Sequence, residues 1–372
     1  LRLYQAEYTA TGAGGQWTSR TLEGLAPDSF AKGKWSLCTQ DTLPSMSAVA
    51  YYFGAALHER LDVPIGLVDL AAGGTPIEAW ISRDALAASP ATKNIAGPGN
   101  WLDNPALGDW CRERARQNLS RAMETTEAIP GDDLGPNHAF KPGFLWQTAV
   151  APITRLPIRG VLWYQGESNA GSPSRVEQHA ALFPLLISDW RRQWRDERLP
   201  FLFVQLPSMG RPYWPVFREQ QRGFSSQIKH VGMAVTIDVG HPTDVHPRRK
   251  KPVGERLAAL AMHIAYGGPQ PSTGPLVQSA RAKDVTVSLH FSNTGGGLTT
   301  SDGQPPIGFE ILDATGASHA VRASIEGDFI LLELPKDAKG VEARFAWAPV
   351  PGCNLVDGRG LPASPFRILI AD

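Results

Sequence analysis

The chain has 372 residues, 42% hydrophobic and 19% charged, which is ordinary soluble globular composition with room for about two domains. Lys plus Arg balances Asp plus Glu at 36 each, so charge gives no footing for nucleic acid or an anionic membrane, and no apolar run approaches the ~18 residues that span a bilayer. Three scattered cysteines, Cys38, Cys111 and Cys353, form no CxxC pair, which argues against a zinc ribbon or a disulfide scaffold and leaves room for one disulfide.

Leu1-Arg-Leu-Tyr4 already reads as the inside of a folded unit, and no signal peptide is legible, as in a trimmed chain. Residues 1–45 show little period; Tyr4, Trp17, Trp35 and Leu37 suggest short extended pieces on a core. Met46, Val49, Ala50, Phe53 and Leu57 recur at helical spacing, predicting a helix to about Arg60. A strand over 64–70 runs into Ala71-Ala-Gly-Gly-Thr-Pro76, where Gly73 and Gly74 can expose backbone N–H groups to a ligand. Residues 112–124 read as a charged helix and 130–142 as a loop.

The run Val161-Leu-Trp-Tyr164 reads as a buried strand ending in the polar turn Gln165-Gly-Glu-Ser-Asn169, which makes this stretch the first candidate for a site. Leu182, Leu186, Trp190 and Trp194 mark a helix, 200–206 a strand, 216–227 a helix and 232–238 a strand. Val253, Leu257, Leu260 and Ile264 mark one more helix. Strands alternating with helices predict an α/β fold, a parallel sheet with helices on both faces and polar loops gathered at the strand ends. From about residue 268 the pattern becomes all-β: Val285, Val287, Leu289 and Phe291 alternate, Gly295-Gly-Gly297 breaks the run, and short strands follow over 329–334, 341–347 and 366–370. The expected organisation is 1–267 as the α/β domain and 268–372 as a small β-sandwich.

Chemistry concentrates after the strand 232–238, where Asp238, His241, Asp244 and His246 fall close together. A carboxylate beside an imidazole can fix its tautomer and stabilise the imidazolium of a general base. Pro247 biases His246 to an extended backbone. A metal-binding loop and a solvated surface loop are the other readings. An oxyanion site would use the N–H of Gly73 or Gly74 with the Gln165 amide. No Gly-x-Ser-x-Gly occurs, and nothing marks Ser168 as activated.

Met46-Ser-Ala-Val-Ala-Tyr-Tyr-Phe-Gly54, Gly73-Gly-Thr-Pro-Ile-Glu-Ala-Trp80, Trp163-Tyr-Gln-Gly-Glu-Ser-Asn169, Phe217-Arg-Glu-Gln-Gln221 and Asp244-Val-His-Pro-Arg-Arg-Lys250 resemble, in this order, the sialate O-acetylesterase family. That family belongs to the SGNH hydrolases and includes plant-polysaccharide acetylesterases. The resemblance implies a three-layer SGNH-type parallel sheet and removal of acetyl groups from sugar hydroxyls without metal or organic cofactor, in a secreted or periplasmic setting. The partner is then an O-acetylated carbohydrate, either a sialic acid or a xylan or xyloglucan fragment. It implies His246 as base and Asp244 as its acidic partner, with Asp238 in reserve. Gly74 (or Gly73) and Gln165 match the oxyanion positions; Glu167, Asn169 and Trp163 match positions that shape the substrate site. Ser168 is not the nucleophile in the family. The family's nucleophile lies in a Gly-Gln-Ser-Asn motif, and no Gly-Gln-Ser occurs among these residues, so the expectation is a serine carried on a separate N-terminal segment.

The basic run Arg248, Arg249, Lys250 and Lys251 could attract an anionic sugar, or be a solvated helix start. Two other classes stay open: a sugar-binding relative without turnover, and a glycosidase pairing Glu167 with Glu78 or Asp244.

Overall fold

The computed structural model describes residues 1–12, 14–125, 128–268, 273–334 and 340–371. Contacts gather the chain into two compact units, one of Leu1–Val161 with Gln165–Leu199, the other of Leu162–Tyr164 with Pro200–Asp372.

In the first unit, β1 (Arg2–Tyr8) lies between β2 (Ala31–Leu37) and β3 (Gly66–Asp69). β1 runs parallel to β3, with Leu3 opposite Leu67, and antiparallel to β2. This sheet is therefore mixed and not purely parallel. The link from β1 to β2 carries only short helical turns (19–23 and 27–30), whereas α1 (Ala48–Leu61) provides a full crossover helix into β3. α1 buries Phe53 and Leu57 as its spacing predicts, and Ser47 caps it by accepting the Ala50 N–H. α2 (Asp109–Thr125) buries Cys111, Ala115, Leu119 and Ala122 at intervals of three and four. α3 (Pro173–Trp194) begins with the Ser172 cap and a proline in its first turn, and buries Leu182, Leu186 and Trp190.

In the second unit, β4 (Val161–Trp163, of which 162–163 belong here), β5 (Phe201–Val204) and β6 (Val231–Ala234) form a sheet in that order. β5 and β6 are parallel, and every residue of both is buried. A parallel pair buried on both faces needs helices over it. α4 (Trp214–Gln227) packs on β6, and α5 (Lys251–Ile264) packs on β5 and β6.

Strands β7 (Leu276–Lys283) and β8 (Thr286–Ser292) begin the all-β part, and residues 269–272, where the pattern changes, lie outside the described residues. Then come β9 (Leu298–Thr300), β10 (Phe309–Asp313), β11 (Ser318–Ala320), β12 (Ala323–Glu326), β13 (Phe329–Glu333), β14 (Gly340–Phe345), β15 (Leu355–Asp357) and β16 (Phe366–Leu369). They make two antiparallel four-stranded sheets, ordered β12-β13-β8-β7 and β11-β10-β14-β16, with β9 paired to β15. Val287, Leu289 and Phe291 of the first sheet share one buried cluster with Phe309, Ile311, Phe345 and Phe366 of the second. Val285 does not join that row; it precedes β8 and is 72% exposed.

Arg218 of α4 is fully buried, and its Nη2 donates to the carbonyls of Ala348 (2.5 Å) and Pro349 (3.2 Å). Its Nε and Nη1 find no partner among the described residues, and burial pushes its pKa down to about 10. The guanidinium thus clamps α4 to the 346–350 turn through main-chain carbonyls alone. All three cysteines are free, so the disulfide left open by the sequence does not form here. Among the described residues no helix is long and apolar enough to cross a membrane.

Leu289 is 0% exposed at the centre of the shared cluster. Leu289→Ala is expected to cost about 2–5 kcal/mol, read as a lowered urea midpoint.

Candidate active site

The first unit builds a tight polar corner from the loop after β3 and the turn after β4. Gly74 sits at φ +76°, a backbone conformation that suits glycine, and both Gly73 and Gly74 are exposed. Among the described residues neither glycine N–H is taken up in a hydrogen bond. The turn beyond them is held by Thr75, whose Oγ1 donates to the Ala72 carbonyl (2.8 Å) and accepts the Trp80 indole N–H (3.0 Å). The two free N–H groups therefore stand on a fixed backbone.

Asn169 secures that backbone from the other side. Its Oδ1 accepts the Ile77 N–H (2.9 Å) and the Gln165 Nε2 (2.7 Å); its Nδ2 donates to Glu78 Oε2 (3.0 Å). Glu78 Oε1 takes Arg175 Nη2 at 2.5 Å, and Asn169, Glu78 and Arg175 are all buried. The carboxylate is compensated in charge and in hydrogen bonds, the condition for burying it. Ser168 Oγ donates to the Gly74 carbonyl (2.8 Å), so this hydroxyl braces the turn. Gln165 spends both amide protons inside the corner, the second on the Thr75 carbonyl (3.2 Å). Its Oε1 is buried without a partner among the described residues. Gln165 thus acts here as a brace and not as a free donor. Glu167 stands half-buried in the same turn.

An aromatic group adjoins the turn. Phe140, 1% exposed, lies where a Cβ on Gly12 would stand 2.4 Å from its ring, a contact that only glycine permits. Trp110 of α2 tilts against Phe140 with centroids 5.4 Å apart, and its ring edge would be 3.1 Å from a Cβ on Gly74. His138 stacks on Trp17 and meets Phe140 edge-on (centroids 4.8 Å apart in both pairs). Its Nδ1 accepts the Phe140 N–H (3.0 Å), and its Nε2 faces Asn118 Oδ1 (3.2 Å), which fixes the neutral Nε2–H tautomer. Burial pushes His138 down to about 3.

The second unit holds the remaining predicted residues. His246 is exposed, and no hydrogen bond reaches its ring among the described residues. Asp244 Oδ1 accepts the His246 backbone N–H (2.8 Å), an Asx turn that shapes the loop and does not touch the imidazole. His241 Nδ1 accepts the Asp244 N–H (3.0 Å). Asp238 is held by Arg256 through two bonds of 2.6 and 2.7 Å. So neither carboxylate partners the His246 ring in this structure. Trp163 is 7% exposed, and a ring so buried is core rather than an open sugar face. Of the basic run, Arg249 donates to the Asp238 carbonyl (3.1 Å), Lys250 lies over Tyr164 (5.3 Å) and Lys251 pairs with Glu255 (2.9 Å). Arg248 alone of the four is exposed without such an engagement among the described residues. Among the described residues no cluster of three or more His, Cys, Asp or Glu could hold a metal ion.

Trp110, Phe140, His138 and Arg175 were not legible as site residues. Trp110 opens a helix that reads as charged and solvated, and Phe140 lies in a stretch that reads as loop; only the glycines facing them signal the close packing.

Residues 141–263 match the family model described as carbohydrate esterase, sialic acid-specific acetylesterase. The chain is similar to this family over that span. A sialate O-acetylesterase of Rattus norvegicus is 34% identical over 249 residues, 60% of this chain and 43% of that protein. The Homo sapiens sialate O-acetylesterase is 31% identical over 274 residues, 68% of this chain and 43% of its own length. The chain thus spans less than half the length of these curated relatives. A solved carbohydrate acetylesterase from Xanthomonas citri superposes with a TM-score of 0.74 over 99% of this chain and 72% of that one, at 27% identity. The esterase span contains Gln165, Glu167, Asn169, Arg175, Arg218 and His246, while Gly73, Gly74 and Trp110 precede it.

Asn169→Ala would strand the Glu78 carboxylate and the Ile77 N–H in the interior, and a cost of about 3 kcal/mol is expected, read by urea denaturation. His138 makes stability pH-dependent. Its folded pKa lies below the ~6.5 of an unfolded histidine, so the unfolded chain binds the extra proton, and stability falls as pH drops from about 6.5 toward about 3. Between about pH 7 and about pH 5 the wild type should lose roughly 2 kcal/mol more than His138→Asn, measured as the difference in urea-derived stability.

Proposed function

We propose that the chain is part of a carbohydrate O-acetylesterase working by serine-dependent acyl transfer. The observation that carries this reading is the Gly73–Gly74 turn, whose two N–H groups are unspent and whose backbone is braced by Asn169, Thr75 and Ser168. Preorganised donors aimed at a developing oxyanion are the main requirement of ester hydrolysis. The family match and the acetylesterase names of the relatives agree with it.

In this reading a serine supplied from outside these 372 residues attacks the acetyl carbonyl. Its proton passes to the His246 ring, and the tetrahedral oxygen anion is held by the Gly74 and Gly73 N–H groups. His246 then protonates the departing sugar oxygen. Water, deprotonated by His246, cleaves the acyl-enzyme to release acetate and regenerate the serine. Asp244 positions His246 through its backbone N–H, and Gln165 and Asn169 hold the glycine turn in place. The α/β part takes the role of an SGNH-type hydrolase domain, and the two antiparallel sheets from β7 onward that of a β-sandwich beginning near residue 268. The substrate is an O-acetylated sugar, a sialic acid or a neutral plant oligosaccharide. The glycosidase alternative that pairs Glu167 with Glu78 loses support because Glu78 is buried and fully committed to Arg175 and Asn169.

A serine-directed fluorophosphonate, followed by peptide mapping of the active protein, tests the mechanism. Label on a Gly-Gln-Ser peptide outside these residues is expected, with His246→Ala lowering kcat for acetate release by about 10²–10⁴. Label on Ser168, or an unchanged kcat in His246→Ala, would overturn the assignment.

A further inference from the structure

Trp110 is a large apolar side chain in an exposed position next to the turn that carries the free N–H groups. It is 50% exposed, yet it does not hang loose. The edge of its indole lies against Gly74, where a Cβ would meet Cη2 at 3.1 Å and Cζ3 at 3.7 Å. Phe140 backs it at a centroid distance of 5.4 Å, and Phe140 is itself locked beneath Gly12 and by the bond from its N–H to His138. Arg114, one turn further along α2, holds its guanidinium 5.9 Å from the Trp110 ring centroid and anchors it on the Gly14 carbonyl (2.9 Å). The indole is thus a half-exposed plane held among fixed neighbours, beside two unpaired N–H groups.

We propose that Trp110 is the platform on which the sugar ring of the acetylated substrate stacks, and that it selects pyranose esters over acyclic ones. The proposal rests on the esterase reading above. A pyranose presents a face of C–H groups that packs on an aromatic plane, and small-ligand sites combine such apolar walls with a few placed polar donors. An acetyl carbonyl oxygen stands only a few bonds, roughly 3–4 Å, from the ring carbon that bears the ester. A ring lying on Trp110 therefore brings that oxygen to the turn its indole touches. Trp110 binds and orients; it takes no part in proton transfer.

The test is made in a His246→Ala background, where substrate can be titrated without turnover, by isothermal calorimetry with an acetylated methyl pyranoside. Trp110→Leu keeps apolar volume against Gly74 and Phe140 but removes the plane, and about tenfold weaker binding is expected. Trp110→Phe restores the plane and should bind within about threefold of the parent. Trp35→Ala, which removes another tryptophan 50% exposed but on β2, should change nothing. In the His246 enzyme, Trp110→Leu should raise KM for the pyranoside about tenfold more than it raises KM for ethyl acetate. Parent-like binding by Trp110→Leu, or equal KM effects on the two esters, overturns the platform. Failure of the wild-type enzyme to release acetate from either ester overturns instead the esterase reading on which the platform depends.

Discussion

The glycine turn of the candidate site depends on one buried carboxamide. Asn169 reaches three partners: the Ile77 main chain and the Glu78 carboxylate, both distant in sequence, and the nearby Gln165 amide. Each alone is a modest bond. Together they fix the path of the loop after β3 to the turn after β4, in the buried interior, so that each partner would be costly to leave unpaired. Arg175 completes the arrangement by neutralising Glu78. The result is that the glycines at the tip of the loop carry no duty of their own. Their N–H groups are held in position by others and remain free for a ligand.

The loop bearing His246 is built on the opposite principle. Its hydrogen bonds run from side chain to nearby backbone: Asp244 to the His246 N–H, His241 to the Asp244 N–H. Such short-range turns shape a loop without burying it. The imidazole is left solvent-exposed, its ring unclaimed among the described residues. The glycine turn is therefore preorganised by interior packing, and the His246 loop only by local turns, which leaves that loop room to adjust.

How much of this the sequence disclosed follows the range of the forces involved. Period-based elements were legible, because burial of one face repeats: α1, α3 and α5 fall where Phe53, Leu186 and Leu260 recur, and β8 alternates as Val287, Leu289 and Phe291 predict. The polar turn 165–169 was legible as a densely hydrogen-bonded turn because it carries more hydrogen-bonding groups than a turn needs. What stayed hidden were choices among partners. Asp244 beside His246 suggests an acid holding a ring, yet the nearer backbone N–H takes the carboxylate. Gln165 suggests an open donor, yet Thr75 and Asn169 use both its protons. Val285 continues the alternation by parity but falls beyond the end of its strand. Trp110 was masked by charged neighbours on its own helix, and its importance comes from Gly74 and Phe140, distant in sequence.

The path of the chain between the two units has a consequence for how the protein can be divided. Residues 162–164 belong to the second unit, although the sequence on both sides of them belongs to the first. A scission at 199–200 cannot liberate the second unit intact: a fragment starting at Pro200 lacks β4 and leaves β5 with a bare edge, the kind of edge that invites aggregation. Recombination or circular permutation that respects only the apparent seam at 199–200 would orphan the same three residues. The second unit is completed only by the strand that leads into the turn of Gln165 and Asn169, so a fragment meant to hold that unit has to carry this strand as well.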